Sequence, residues 1–318
     1  MQAKKPIDLG YGIHLIDGFD LGLPFRTGTY IFDEEELTLI ETGPGPSVPY
    51  IKQGLKDLDF SLEQVKYIIL THIHLDHAGG AGLLLKECPN AKVVVHPRGA
   101  RHLTDPGKLI AGARAVYGEK FDELFGSIVP IPEERLLIKG EGDTLVISSH
   151  RTLEFIDTPG HAKHHFSIFD PVSNGMFTGD TAGIHYKWLE EDGVDFFLPT
   201  TSPNHFDPEA MVNSISRFRK YELDRLYFGH FGMTEKIDEV FRQVTEWIPI
   251  FVKEGEKALE SGKDIRDLAN SLRNRVSQHL KQFKISDNHK VFKVIELDLQ
   301  VSAMGVIDYL QKKQSLKK

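Results

Sequence analysis

The chain has 318 residues, of which 40% are hydrophobic and 26% charged, an ordinary composition for a globular protein with a sizeable core. Its net charge of −8 at pH 7 argues against a general nucleic-acid binder, which would normally be basic. No apolar run approaches the ~20 residues of a membrane span, and the start MQAKKPIDLG lacks the apolar stretch of a secretory signal. There is one cysteine. We therefore expect a cytoplasmic protein without disulfides.

Along the first two-thirds of the chain, short runs of branched and aromatic residues alternate with loops rich in Gly, Pro and Asp. Such runs predict β-strands. The predicted strands are residues 37–40, 65–70, 93–95, 153–156, 166–169 and 226–228. Between them, Met211, Ile215 and Phe218 recur at helical spacing and predict a helix over residues 208–221. The alternation indicates a mixed fold in which sheets stack and helices lie outside.

From about residue 236 the pattern becomes helical. The first predicted helix has an apolar stripe formed by Ile237, Val240, Phe241, Val244, Ile248 and Phe251. Asp264 is the predicted N-cap of a second helix, and a third has the stripe Val301, Met304, Ile307 and Leu310. One stripe per helix is too little for an independent core. We therefore expect a catalytic domain over residues 1–235 and a helical segment over 236–318 that packs on it.

The stretch Thr71 to Gly80, THIHLDHAGG, places three histidines and an aspartate directly behind an apolar run. In an extended loop, His72 and His74 point the same way, so both imidazoles can reach one ion. Asp76 and His77 come where the following Ala-Gly-Gly lets the chain turn, so they can face a second ion. Imidazole with carboxylate is the ligand set of zinc, iron or manganese rather than calcium.

Three later segments repeat the pattern of a strand followed at once by a residue that binds metals. The segment LEFIDTPG leads to His161, MFTG to Asp180 and LYFG to His230. Each candidate follows a glycine, which leaves room for an ion and its substrate. The total of five histidines and two aspartates is enough for two metals that share a bridging carboxylate. Without a metal, burying so many polar groups would leave several of them poorly paired.

The segments THIHLDHAGG, DTPGH, FTGD and FGH resemble, in this order, the motifs of the metallo-β-lactamase-fold hydrolases. The resemblance covers roughly residues 10–235. It implies an α+β fold, a four-layer αββα sandwich with the site at one edge between the two sheets. It also implies that one metal is held by His72, His74 and His161, that a second is held by Asp76, His77 and His230, and that Asp180 bridges them.

Differences between this sequence and the motifs of particular branches of the family narrow the range of expected activities. The antibiotic-resistance β-lactamases typically have cysteine where Asp180 stands, and flavodiiron oxygen reductases have glutamate where His74 stands. RNA-processing branches usually carry a basic surface, which the acidic balance disfavours. The chain looks like the glyoxalase II and lactonase group, which hydrolyses thioesters and cyclic esters. An iron-dependent persulfide dioxygenase and a phosphodiesterase of the same fold stay open as alternatives.

The expected mechanism uses two divalent metal ions, with zinc favoured over iron or manganese, and a metal-bridging hydroxide that attacks the ester-type bond. Asp76 is expected to relay a proton as well as bind metal. His165, in the segment HAKHH, and Tyr186, shortly after Asp180, are further candidates for catalytic roles. We expect a small-molecule substrate and neither nucleic acid nor membrane as a partner, and a homodimer stays open.

Overall fold

A computed structural model describes residues 5–316 of the chain. Its contacts divide the chain into two compact units. Unit 1 comprises the described residues up to Asp157 together with His164–Gly179 and Glu222–Glu235. Unit 2 comprises Thr158–Lys163, Asp180–Tyr221 and the described residues from Lys236 onward. The chain passes between the units at residue 235, where the sequence predicts a domain boundary, but unit 2 also takes two earlier segments. The division into 1–235 and 236–318 stays a prediction.

The first sheet of unit 1 has its strands in the order of the chain. Within residues 5–316 its strands are β1 (Ile7–Asp8), β2 (Ile13–Asp17), β3 (Gly28–Phe32), β4 (Thr38–Ile40), β5 (Tyr67–Ile69), β6 (Lys92–Val95) and β7 (Leu136–Ile138). Neighbours from β1 to β4 are antiparallel, and those from β4 to β7 are parallel. Because β4, β5 and β6 are parallel, the residues that follow them meet at one edge of the sheet.

The remaining strands supply a second sheet and a small strand pair. They are β8 (Thr144–Ser148), β9 (Arg151–Asp157), β10 (Phe166–Asp170), β11 (Gly175–Gly179), β12 (Ile184–His185), β13 (Phe197–Leu198), β14 (Arg225–Phe228) and β15 (Met233–Thr234). The second sheet, in unit 1, has the order β15-β14-β11-β10-β9-β8, and β12 pairs with β13 in unit 2. The predicted strands at 37–40, 65–70, 93–95, 153–156, 166–169 and 226–228 are confirmed.

The core of unit 1 lies between its two sheets. Inward side chains of the first sheet, such as Tyr30, Phe32 and Ile69, pack against Phe155 and Phe177 of the second sheet. The opposite face of the first sheet buries a separate apolar cluster beneath helices. This arrangement leaves the ends of the strands, rather than their faces, for polar side chains.

The helices of unit 1 are α1 (Val48–Asp57), α2 (Leu75–Ala78), α3 (Ala81–Glu87), α4 (Pro97–Thr104), α5 (Gly107–Tyr117) and α6 (Phe121–Phe125). Helices α1, α3 and α4 contribute Ile51, Leu84 and Leu103 to the core on the outer face of the first sheet. The short helix α2 follows β5 and contains two of the predicted metal ligands. None of these six helices was predicted individually from the sequence, which gave a specific helix only over residues 208–221 in this part of the chain.

Unit 2 is mainly helical, with α7 (Pro208–Phe218), α8 (Ile237–Glu260), α9 (Ile265–Lys281) and α10 (Phe292–Ser315). The helix predicted over 208–221 is confirmed, as is the N-cap of α9, where the Asp264 carboxylate accepts the Asp267 N–H at 2.9 Å. The predicted stripe of α8 is also buried, apart from its first residue.

The apolar face predicted for α10 is partly wrong. Ile307 and Leu310 are buried, but Val301 and Met304 are only half-buried, and the buried face also includes Ser302. The buried face of α10 is thus rotated relative to the predicted stripe. Gly305 permits this orientation, because a Cβ at that position would lie 2.2 Å from Thr201 Oγ1. The helix turns its small residues toward the segment that contains Thr201, whose hydroxyl donates to Ser302 O at 3.1 Å. In residues 5–316, no helix is long and apolar enough to cross a membrane.

Candidate metal centre

Residues 71–77, here called the metal loop, follow the buried strand β5 directly. The loop starts where the Thr71 N–H donates to Glu41 Oε1 at 3.0 Å. The His72 ring then lies 4.5 Å from the His74 ring and 4.2 Å from the His77 ring, measured between centroids. The adjacent rings agree with the expectation that His72 and His74 point the same way, and their binding of one ion stays a prediction. The loop ends in α2, whose first turn contains Asp76 and His77.

The two glycines after the metal loop act differently from expectation. Gly79 and Gly80 have φ values of −62° and −81°, which any residue adopts, so the sequence-based idea of a glycine-dependent turn is wrong. Their importance is close packing. A Cβ on Gly79 would lie 2.4 Å from Leu75 O, and one on Gly80 would lie 2.8 Å from a Val48 methyl group. Gly79 therefore lets the chain pass close to the first residue of α2, and Gly80 lets the segment after α2 pack closely on α1.

The structure brings Asp76, His77 and His230 of unit 1 together. Asp76 Oδ2 lies 3.6 Å from His77 Nε2 and 3.7 Å from His230 Nε2, and one ligand atom from each residue lies within 4.8 Å of the others. His77 and His230 are buried, and Asp76 is half-buried. Donor atoms on one divalent ion at about 2.0–2.2 Å are about 3–3.5 Å apart, so the three residues fit one ion after small shifts.

The Nδ1 atom of His77, on the side of the ring away from Asp76, faces Glu41, a residue that was not predicted from the sequence. Glu41 Oε2 lies 3.4 Å from His77 Nδ1, and Thr42 donates through both its N–H and its hydroxyl to His77 O, each at 2.9 Å. Glu41 has a φ of +67°, a strained conformation for a residue with a Cβ. The signal for Glu41 was a carboxylate directly after the buried strand β4, which lies parallel to β5. This contact turns His77 Nε2 toward Asp76.

His230 lies in a tight turn after β14, residues 229–232, here called the His230 turn. Its Nδ1 lies 3.3 Å from Arg26 O, which leaves Nε2 toward Asp76. The Tyr30 hydroxyl lies 2.7 Å from both Phe228 O and Gly232 O, the carbonyls on either side of the turn. Burial raises the pKa of Tyr30 well above its usual value, so the hydroxyl remains a donor. Neither Arg26 nor Tyr30 was a candidate from sequence.

In unit 2, His161 and Asp180 point toward each other. His161 Nε2 lies 3.4 Å from Asp180 Oδ2, while His161 Nδ1 lies 3.1 Å from Thr200 O. Both side chains are buried. Gly160, just before His161, has a φ of +135° and packs so closely on Met211 that a Cβ there would lie 2.3 Å from Met211 Cα. The glycine that the sequence analysis noted before His161 is thus required by both conformation and packing.

Four of the five predicted histidine ligands have the same ring nitrogen directed at a protein oxygen. For His72, His77, His161 and His230, Nδ1 faces a protein oxygen at 3.1–3.4 Å; that of His72 is the Thr71 hydroxyl. An imidazole held by one nitrogen presents the other in a fixed direction, which is how proteins orient metal-binding histidines. Imidazole nitrogens and carboxylates therefore fit a divalent transition metal in chemistry, and those of Asp76, His77 and His230 also fit one in spacing.

The other predicted catalytic residues have different surroundings. His165 is buried, with its ring 5.0 Å from that of His72, and a Cβ on Gly179 would lie 2.4 Å from His165 Nε2. The Tyr186 hydroxyl donates to Asp298 Oδ2 at 3.0 Å, inside unit 2. Catalytic roles for His165 and Tyr186 stay predictions.

A buried ion pair lies close to the Asp76–His77–His230 group. Arg26 Nε lies 3.6 Å from Asp20 Oδ2, and both side chains are almost fully buried. Burial raises the pKa of the Asp20 carboxyl, Arg26 lowers it, and the charges of Asp76, His230 and His77 act on it as well. Asp20 is therefore within the electrostatic field of this group of ligands.

The family model of the metallo-beta-lactamase superfamily matches residues 22–230. The chain belongs to this superfamily. A metallo-beta-lactamase family protein from Thermus thermophilus has the same fold, with a TM-score of 0.67 and 19% identity over 96% of this chain and 95% of that one. The predicted α+β class and metallo-β-lactamase fold with C-terminal helices are confirmed. Members of the superfamily are mostly metal-dependent hydrolases.

Two relatives illustrate the range of the superfamily. The chain is 30% identical to a metallo-beta-lactamase fold-containing protein of Sulfurisphaera tokodaii, over 70% of this chain and 79% of that protein. It is 27% identical to an N-acyl homoserine lactonase of Bacillus thuringiensis, over 59% of this chain and 64% of that protein.

Proposed function

We propose that the protein is a dinuclear-metal hydrolase that cleaves an ester-type bond, in a thioester, a lactone or a related carboxylic ester. The observation that carries this proposal is the group formed by Asp76, His77 and His230, whose donor atoms already lie within 4.8 Å of one another. Both imidazoles of that group are held at Nδ1 by other parts of unit 1, so their Nε2 atoms are set for a cation.

The proposed ligand set follows the family resemblance. His72, His74 and His161 would hold one metal, Asp76, His77 and His230 the other, and Asp180 would bridge them. The adjacent rings of His72 and His74 support the first group, and the 3.4 Å approach of His161 to Asp180 supports the role of Asp180. Five imidazoles and two carboxylates suit zinc, which we propose as the metal.

Two bound cations would polarise the substrate carbonyl and lower the pKa of a shared water to about 7. The chain's own residues would orient the substrate and move the proton. Asp76 is suited to the second task, because its side chain is 28% exposed whereas that of His77 is fully buried. A carboxylate that substrate can approach can take a proton during attack and return it to the leaving group. We assign this role to Asp76 in addition to metal binding.

The name of the Bacillus thuringiensis relative supports a lactone as the first substrate class to examine. The purified protein should be assayed for metal content and then tested on lactones, thioesters, phosphodiesters and β-lactams after loading with zinc, iron or manganese. Two zinc ions per chain and hydrolysis of lactones or thioesters are the expected results. Oxygen uptake with glutathione persulfide and one iron per chain would instead identify a persulfide dioxygenase. Turnover confined to phosphodiesters would also contradict the proposal.

The Asp180→Asn variant tests the bridging ligand. Loss of its negative charge should weaken both metal sites, so activity should fall by at least about a hundredfold while the circular dichroism spectrum is retained. Asp308→Asn is a matched control in the same unit, because Asp308 pairs with Lys312 on the surface of α10. An Asp180→Asn protein with normal turnover and two tightly held metals would show that the bridging assignment is wrong.

A further inference from the structure

The loop between β2 and β3, residues 18–27, is here called the hairpin loop, and its backbone is strained. Phe19, Leu21 and Phe25 have φ values of 46°, 57° and 62°, a left-handed conformation that costs about 1–2 kcal/mol per residue with a Cβ. Such strain persists only where the surroundings hold it in place, and it is concentrated at functional sites.

Polar contacts at the start of the hairpin loop hold this conformation. The Asp17 carboxylate accepts the N–H groups of Phe19 and Phe25, each at 3.0 Å. The Ser47 hydroxyl donates to Gly18 O at 2.7 Å. The chain is thereby fixed before and after Asp20, so the Asp20 side chain stays beside Arg26.

The hairpin loop is also joined to the His230 turn. The Phe25 and Phe231 rings lie 5.2 Å apart, and Arg26 O lies 3.3 Å from His230 Nδ1. Arg26 thus supplies a carbonyl that orients a proposed metal ligand, and its cationic side chain lies 3.6 Å from Asp20, whose carboxyl is within the electrostatic field of the Asp76–His77–His230 group. The two side chains of the Asp20–Arg26 ion pair are only 4% and 8% exposed, so solvent screens the Arg26 charge poorly.

We propose that Asp20 is a positioning residue for the second metal site, which neutralises Arg26 so that the Arg26 carbonyl can hold His230 without its guanidinium repelling the bound cation. The inference rests on the proposed ligand set, because it assumes that Asp76, His77 and His230 bind a metal. The proposal predicts that removing the two charges of the ion pair has different effects on zinc binding. Removing the Asp20 charge should weaken the second metal site, whereas removing the Arg26 charge should not, since the backbone carbonyl remains.

The test is a double-mutant cycle that removes the two charges singly and together. The variants Asp20→Asn, Arg26→Gln and the double variant are made in the full-length, zinc-loaded protein, and their zinc affinities are compared. Release of each zinc equivalent to a chromophoric chelator gives two apparent Kd values. Asp20→Asn should raise, about 10- to 100-fold, the Kd of the zinc equivalent that the His230→Ala variant loses, an effect of the size seen when a second-layer contact of a metal site is lost, and should leave the other Kd unchanged. Arg26→Gln should leave both values unchanged or lower the affected one, and the double variant should return close to wild type.

His230→Ala is measured alongside and separates this inference from the proposed function. If His230→Ala retains both zinc affinities, the proposed ligand set fails and the inference fails with it. If His230→Ala loses one zinc while Asp20→Asn retains both, only the inference is overturned. If Asp20→Asn loses affinity and the double variant does not recover it, the effect comes from a disturbed loop rather than from charge, which also overturns the inference. Thermal unfolding of each variant confirms that the compared proteins are folded.

Discussion

The metal loop and the His230 turn contribute candidate ligands to the same group by different means. The metal loop contains four candidate ligands within residues 72–77, and His72 is held by its neighbour Thr71. The His230 turn contains one candidate ligand, His230, and is held by residues far away in sequence. Arg26 is 204 positions from His230, and the two carbonyls that contact the Tyr30 hydroxyl are 198 and 202 positions from Tyr30. The metal loop can therefore be identified from local sequence, whereas the His230 turn is set up by the fold.

This difference has a physical consequence for the two kinds of ligand. A ligand on a short helix after a buried strand keeps its place if the strand keeps its place. A ligand on a turn depends on every long-range contact that fixes the turn. The His230 turn should therefore respond to mutations of distant residues that contact no proposed metal, such as Tyr30, whereas the metal loop should respond mainly to changes within the loop itself and in Glu41, which follows the neighbouring strand β4.

The largest expected effect is loss of a ligand on either side. His77→Ala and His230→Ala should each remove the second metal and lower activity by at least about a hundredfold, more than the loss of an outer partner. Metal content by mass spectrometry of the desalted protein and steady-state kinetics measure the two effects. The comparison fails if one of the variants keeps both metals.

His150→Ala is the matched control for these two variants. His150 belongs to the same unit, its side chain is 64% exposed, and its contacts are with Glu34 and Ser148 rather than with any proposed ligand. We expect wild-type metal content and activity from it. A loss of metal in this control would mean that the assay reports general instability.

The next largest effect should come from the residue that supports the metal loop. Glu41→Gln keeps an oxygen for the Thr71 N–H but removes the negative charge that faces His77 Nδ1. The imidazole becomes a weaker donor, so the zinc Kd of the second site should rise about 10- to 100-fold. Chelator competition measures this, with Glu119→Gln, an exposed residue of the same unit, as control. An unchanged zinc Kd in Glu41→Gln would show that Glu41 does not tune His77.

A smaller effect, on stability more than on metal binding, is expected at the His230 turn. Tyr30→Phe removes the hydroxyl between Phe228 O and Gly232 O, which are both buried. The free energy of unfolding should fall by about 1–2 kcal/mol, and the Kd of the second zinc should rise. Denaturant titration checks the first effect. Tyr67→Phe, on the half-buried β5 tyrosine, is the control, and equal effects from both variants would argue that Tyr30 has no special role in this turn.

The smallest effect should follow Phe25→Leu. This change keeps an apolar side chain in the hairpin loop but removes the aromatic pair with Phe231. Such pairs contribute about 0.5–1.5 kcal/mol beyond the area they bury, so a loss of that size in the free energy of unfolding is expected. If Phe25→Leu raises the zinc Kd more than Glu41→Gln does, the proposed ranking, in which the contact of Glu41 with His77 matters more for metal binding than the contact of Phe25 with Phe231, is wrong.

The same contrast explains which parts of the site the sequence could predict. The apolar run of β5 and the cluster behind it identified the metal loop, because a buried strand followed by several ligands is a local pattern. Glycines before His161, Asp180 and His230 marked the remaining candidates. Glu41 carried a usable signal, since it directly follows a strand parallel to β5. Arg26 and Tyr30 carried none, because their partners are some 200 positions away along the chain.

The fold could be predicted from the sequence about as far as the site could. Strands with continuous branched or aromatic residues, such as β6 and β14, were found from composition, and the N-cap of α9 was found from Asp264. The orientation of α10 was predicted only in part, because an apolar stripe says nothing about the close approach that Gly305 permits. Packing against a specific neighbour, rather than periodicity, decides which face of such a helix is buried.

The most direct test of the central claim is anomalous diffraction at the zinc edge from crystals of the zinc-loaded protein. Two anomalous peaks are expected, one of them within coordinating distance of Asp76, His77 and His230, at about 2.0–2.2 Å from each donor atom. The two imidazoles should bind through Nε2, with Nδ1 still facing Glu41 and Arg26 O. A zinc-loaded crystal whose anomalous peaks all lie away from these three residues would contradict the account.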